Sequence, residues 1–222
     1  MKKYKKELTI VKEYYERTKV TFEDIEKETD EYASSFYDNF PATEFTDLSS
    51  VAEDATEFGI EMYDTLSIMK SNHLLMTISM LYHIWEQQIV KFTTQELSHY
   101  FDIESLSYGE ASKIFKLHNV EIDKTISWQK IRELKFLVNT VKHGDGDSAE
   151  KLRKIRPDFF EHDVLDYIDT LKFSGTVLLD SYLLKITEDD LLSYIIATQE
   201  FWDEMPERVY CDIDVLDKVF EK

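Results

Sequence analysis

Glycine and proline are nearly missing from this chain: five and three among 222 residues. A sandwich or barrel needs a turn roughly every ten residues, and tight turns draw on those two residue types. A chain this poor in both can be divided into only a few long elements, which favours helices. Hydrophobic residues make up 43% and aromatics 14%, enough for a substantial core. The length suits one large domain, or a domain with an extension. The fold class expected is mostly α, a multi-helix bundle.

Helix boundaries follow from local signals. Residues 5–38 read as one or two amphipathic helices, the second restarting at Thr21 with Asp24 three residues on, a weak capping pair. Pro41 breaks the pattern within "NFPATEFTDLSS". A helix from 48 to near residue 70 is then expected, with a second apolar helix from His73 to Leu97 beside it. A short helix follows over 109–117. The best-marked helix covers 128–143: Ser127 is a natural N-cap, and Ile131, Leu134, Val138 and Val141 recur at helical spacing. Gly144 can take the left-handed conformation that ends it. Asp147, with Glu150 three residues on, caps the next helix, and Pro157 closes that one. "LKFSGTVLLDSYLLKIT" (171–187) is rich in apolar and β-branched residues and reads as a short β-hairpin or an extended segment. Thr187 and an acidic first turn open a last helix that stops before Pro206.

The formal net charge is −19. A field of that size repels nucleic acid and anionic membrane over most of the surface and suits a basic partner. The Tyr-rich, acidic helices near the N-terminus read as a solvated face, a nucleic-acid mimic or a dock for such a partner. Cys211 is the only cysteine, so no internal disulfide can form, which fits a reducing compartment. No apolar signal-peptide core follows the basic N-terminus, and the most apolar stretch, residues 74–85, is too short to span a bilayer. A cytoplasmic protein without membrane attachment is expected. His73, His83, His99, His118 and His162 form no metal-binding spacing, and no cofactor motif is present. Asp145 and Asp147 in "GDGDSAE" lack the further ligands of a calcium loop.

Against this acidic background one stretch is basic. Residues 124–156 hold nine Lys and Arg against four acids, a local +5. On a helix, Arg132, Lys135, Asn139 and His143 fall on one stripe with Lys142 at its edge, and the apolar residues fall opposite. A very short turn should bring Arg153, Lys154 and Arg156 near that stripe. Such an island admits a phosphate backbone where the rest of the surface repels it. The plainer readings are a solvated polar face, or an island that docks on the protein's own carboxylates. His143 can accept a proton near neutral pH, and Asn139 one turn away can orient the ring or a phosphate. A histidine at a helix end can equally bond the free carbonyls there.

At these residues the chain resembles a family. "ELKFLVNTVKHG", with a polar residue and three spacers before a histidine near a helix end, looks like the motif of HEPN domains. These are all-helical nucleotide-binding or ribonuclease-like proteins of toxin–antitoxin and phage-defence systems. "LYHIWEQQIVKF", with Trp85 and Glu86 on a core helix, is also similar to bacterial HEPN-like proteins. Read without the resemblance, Trp85 and Glu86 are a core Trp and a paired carboxylate. The likeness covers 48–160 loosely and 128–160 best. It divides the single helical domain, 1–222, into a HEPN-like core at 48–160 and an extension, 161–222, packed on it. Asn139 and His143 match the motif; its Arg position is Val138, and Arg132 lies two turns earlier on the same face. The resemblance implies a homodimer with paired histidines and a metal-independent endoribonuclease. By the motif His143 and Asn139 would stand at its site; Arg132, which the motif does not supply, would substitute for the missing Arg, and Lys135, Lys142, Arg153, Lys154 and Arg156 of the basic island would hold the RNA. An antitoxin or other defence-system protein is the implied partner. Val138 favours instead a non-catalytic helical module that binds a partner protein through its acidic surface.

Overall fold

The computed structural model describes residues 1–103, 105–161, 168–180, 182–206 and 216. His162 and Cys211 lie outside them. The protein is a mostly helical bundle: α1 spans Lys2–Thr18, α2 Ile25–Asp38, α3 Leu48–Leu97, α4 Tyr108–Leu117, α5 Trp128–His143, α6 Asp147–Ile155, α7 Thr170–Ser174 and α8 Glu188–Glu204. Among the described residues no sheet forms, and the sole β-type contact is an isolated bridge between Glu161 and Asp169. No helix among them is long and apolar enough to cross a membrane.

The expected split of 48–97 into two neighbouring helices does not occur. α3 is one helix of 50 residues, about 75 Å long at the usual rise. Between Met69 and His73 stand Lys70, Ser71 and Asn72, none of which breaks a helix. Among the described residues of 171–187, expected as a hairpin or an extended segment, no β-hairpin forms. Asp169 accepts a hydrogen bond from the Lys172 amide at the start of α7, and Gly175, at φ 72°, closes that helix after one turn. The described residues from Gly175 to Thr187 are neither helix nor strand, while Val177, Leu183 and Leu184 are individually buried.

Local signals placed most helix ends well, with adjustments. Thr21 lies in a 3-10 turn, Lys19–Phe22, and Asp24 occupies the N-cap position of α2. Asp147 is the first residue of α6 and Gly146 its cap. Thr187 caps α8 in a reciprocal box with Asp190.

One cluster of buried side chains runs from Tyr4 in α1 to Met205 after α8 and takes in the second half of α3, α4, α5 and α6. Trp85 sits at its centre, fully buried, with Phe201, Tyr108 and Trp128 around its ring. Buried Gln88 ties three helices together. Its Nε2 donates to the Tyr4 carbonyl at 3.0 Å, and its Oε1 accepts from Trp202 Nε1 at 2.8 Å. A buried amide with both ends bonded fixes the register of the helices it joins.

The first half of α3 lies outside this core. It pairs with α2 to make a two-helix arm in which Ile25, Thr29, Val51 and Ala55 are the buried residues. The helices approach closely at Gly59, where an added Cβ would meet Ala33 Cβ at 3.1 Å. Phe36 stacks on Phe58 with ring centres 5.3 Å apart.

Candidate functional site

α5 presents two faces, as its spacing predicts. Ile131, Leu134, Leu137, Val138 and Val141 are buried. Arg132, Lys142 and His143 are exposed, and Lys135 and Asn139 half-buried, on the other side. Arg132 lies over the Phe136 ring at 6.0 Å, and Lys151 of α6 lies over the same ring at 5.8 Å. The structure therefore brings Arg132, Lys135, Asn139, Lys142 and His143 onto one solvent-facing stripe.

It does not bring Arg153 and Arg156 to that stripe. Arg153 donates to Asp169 and, at 2.6 Å, to Asp145, with its guanidinium over Phe160. Arg156 turns toward the buried side of α5. It donates to Glu133 and Asp190 at 2.9 Å each and to Asp158 at 2.7 Å. Burial alone would lower the pKa of each arginine, but the carboxylates around them outweigh it and raise both. Both arginines thus hold their charge in place on the protein's own acids, so the island is partly self-neutralised. Lys124 and Lys130 are likewise paired, with Glu121 and Glu133 at 2.7 Å. Arg132, Lys135, Lys142, Lys151 and Lys154 form no ion pair among the described residues.

The buried centre of this network, Glu133, is not visible in the sequence pattern. Its Oε1 accepts from Lys130 at 2.7 Å, Arg156 at 2.9 Å and the Tyr194 hydroxyl at 2.8 Å. Burial, then the charge of Glu133, pushes the Tyr194 hydroxyl far above its ordinary range, so it stays a donor. A carboxylate with three donors is a structural tie between α5, the turn after α6 and α8.

The N-terminus of α5 is capped from a distance. Ser127 stands at the N-cap without a side-chain cap bond. The amides of Ile126 and Ser127 donate instead to the Glu204 carboxylate, at 2.6 and 2.9 Å. At the other end Gly144 has φ 72°, and an added Cβ would meet the Gly175 carbonyl oxygen at 2.0 Å. Glycine is demanded there by backbone angle and by space.

The second candidate is the arm. Residues 23–69 carry fourteen Asp and Glu against Lys27 alone, a net of −13 out of the chain's −19. Apolar side chains nevertheless reach solvent along it: Tyr32, Tyr37, Leu48, Ile60 and Tyr63, and Phe45 at the tip at 88% exposure. Where the arm meets the body, a groove of about 830 Å³ opens between the start of α2, residues 63–75 of α3 and residues 182–188. Among the described residues no group of three or more His, Cys, Asp or Glu is placed to hold a metal ion.

Compared with known proteins, the chain matches no family model, no curated protein and no solved structure.

Proposed function

We propose that this protein is a helical interaction module that binds a basic partner protein through its acidic surface. The observation that carries the reading is the segregation of charge: −13 of the net −19 sits on the two-helix arm, outside the main core. A thin projection of one sign needs a reason to exist, because like charges on neighbouring helices oppose its own folding. A cationic partner supplies one, since it relieves that repulsion on binding. Poly-L-lysine is the simplest probe. Changing Asp30, Glu31, Glu53, Asp54, Glu57 and Glu61 to their amides should weaken its binding at least tenfold at low salt. Equal binding by that variant would overturn the reading.

A second reading rests on the stripe of α5. Arg132, Lys135, Asn139, Lys142 and His143 share one solvent-facing side, which supports a HEPN-like, RNA-directed protein of a defence or toxin–antitoxin system. In that reading the protein is a homodimer with the two His143 side chains at its interface, and light scattering would give about twice the 26.3 kDa of one chain. If it cleaves RNA, His143→Ala should abolish cleavage and leave the fold intact. Binding that persists unchanged when Lys135, Lys142 and Lys154 become Ser would remove the stripe from the function.

A further inference from the structure

The acidic arm and the groove at its base form one continuous surface. Ile25, Tyr63 and Ser67 belong to both: they lie on the arm's helices and line the groove. The groove then runs down to Leu74, Leu184 and Ile186 on the body. Its floor is apolar and its flanks carry exposed Tyr63 and Tyr182. Glu23, Asp24, Glu26 and Lys27 stand on the α2 side, and Lys70, Lys185 and Glu188 line the rest, so the lining itself nets only −1 and the strong negative field comes from the arm above it. The arm above it is only two helices thick, so Phe36, Phe58, Met62 and Leu66 stay half-exposed along the seam. Two helices cannot cover a seam from both sides; a third lying along it can.

Charge decides which third helix fits. A second copy of this chain would bring another −13 against the first, and at such spacing like charges cost affinity. RNA is repelled for the same reason. We propose that the groove and the arm seam together seat an amphipathic, Lys/Arg-rich helix of a partner protein. Its apolar side lies on Leu74, Leu184, Ile186, Tyr63 and Tyr182, and its cations face Glu23, Asp24, Glu26 and the arm. This assignment rests on the reading of the protein as an acidic interaction module, and it names the place and the shape of the ligand.

The test uses the full chain and a fluorescent 18-residue Lys/Leu peptide designed to be helical and amphipathic. A scrambled peptide of the same composition serves as control, and affinities are read by anisotropy. The helical peptide should bind at least tenfold more tightly than the scrambled one. Tyr63→Ser with Tyr182→Ser changes two exposed side chains and should remove most of that preference while leaving poly-L-lysine binding within twofold. Glu23→Gln, Asp24→Asn and Glu26→Gln together should weaken the helical peptide several-fold at low salt, with the loss vanishing at high salt. Glu96→Gln, Asp123→Asn and Glu200→Gln, three exposed carboxylates elsewhere on the body, should change affinity by less than twofold. Unchanged far-UV circular dichroism in each variant shows that the arm is still folded. Equal binding of helical and scrambled peptides, or equal losses in the groove and body variants, would overturn the groove and leave the acidic-module reading standing. Failure of wild type to bind either peptide or poly-L-lysine would overturn both.

Discussion

Gly144 is the residue whose identity is most tightly constrained. Its φ of 72° and ψ of −149° lie where L side chains are strained, and the Gly175 carbonyl leaves no room for a methyl group. Gly144→Ala should cost about 3 kcal/mol or more, measured by chemical denaturation. His73 makes a different kind of prediction. It stacks on Tyr15 with ring centres 5.2 Å apart, with Tyr14 and Phe22 also beside it. The Thr18 hydroxyl lies 2.7 Å from His73 Nε2 and 2.8 Å from the Tyr14 carbonyl oxygen. Burial holds the imidazole below its usual 6.5, so the folded state disfavours the charged ring. The unfolded chain then binds more protons as pH falls. The His73 contribution is full above 6.5 and is lost as pH drops through it toward the lower folded value. His73→Phe keeps a ring in the stack and should flatten that acid-side slope of stability. An unchanged slope would assign the pH dependence elsewhere.

At the scale of elements, the ties between helices are charged and specific. Glu204, at the end of α8, accepts from the amides of Ile126 and Ser127 just before α5. Glu204→Ala should cost about 1 kcal/mol, the usual loss of an N-cap. Arg156 links α5, the turn after α6 and α8 through Glu133, Asp158 and Asp190. Arg156→Ser should cost about 2–3 kcal/mol, below the range for a fully buried pair because the side chain keeps 22% exposure. Lys154→Ser, at an exposed site without an ion pair among the described residues, should cost almost nothing. Comparing the two by thermal denaturation separates the structural part of the basic island from the part left for a ligand.

At the scale of the whole molecule, α3 serves two environments within one helix. Its second half is walled by the core, and its first half touches α2 and solvent. Opening free energy follows the apolar contacts that opening would break. Hydrogen exchange should therefore be fast over residues 48–66 and slow over residues 74–97, with no break in helical structure between them. Uniform protection along α3 would mean that something else covers the arm.

The sequence by itself determined what neighbours along the chain can decide. Thr187 with Asp190, Gly144 and the scarcity of Gly and Pro set helix ends and fold class through backbone angles and short-range hydrogen bonds. Helical spacing separated the apolar and polar faces of α5, and counting charges located the acidic stretch. Tertiary structure decided whatever depends on distant partners. The continuity of α3 was ambiguous because a polar stretch such as Lys70–Asn72 suits a helix or a turn equally until packing selects one. Arg153 and Arg156 look like Lys154 in the sequence; only folding brings Asp169 and Asp190 to the two arginines and leaves the lysine in solvent. Glu133 is polar by pattern yet buried, because Lys130 of α5, Tyr194 of α8 and Arg156 in the turn after α6 converge on it. Charge type is written residue by residue, but whether a charge is neutralised is a property of the assembled fold.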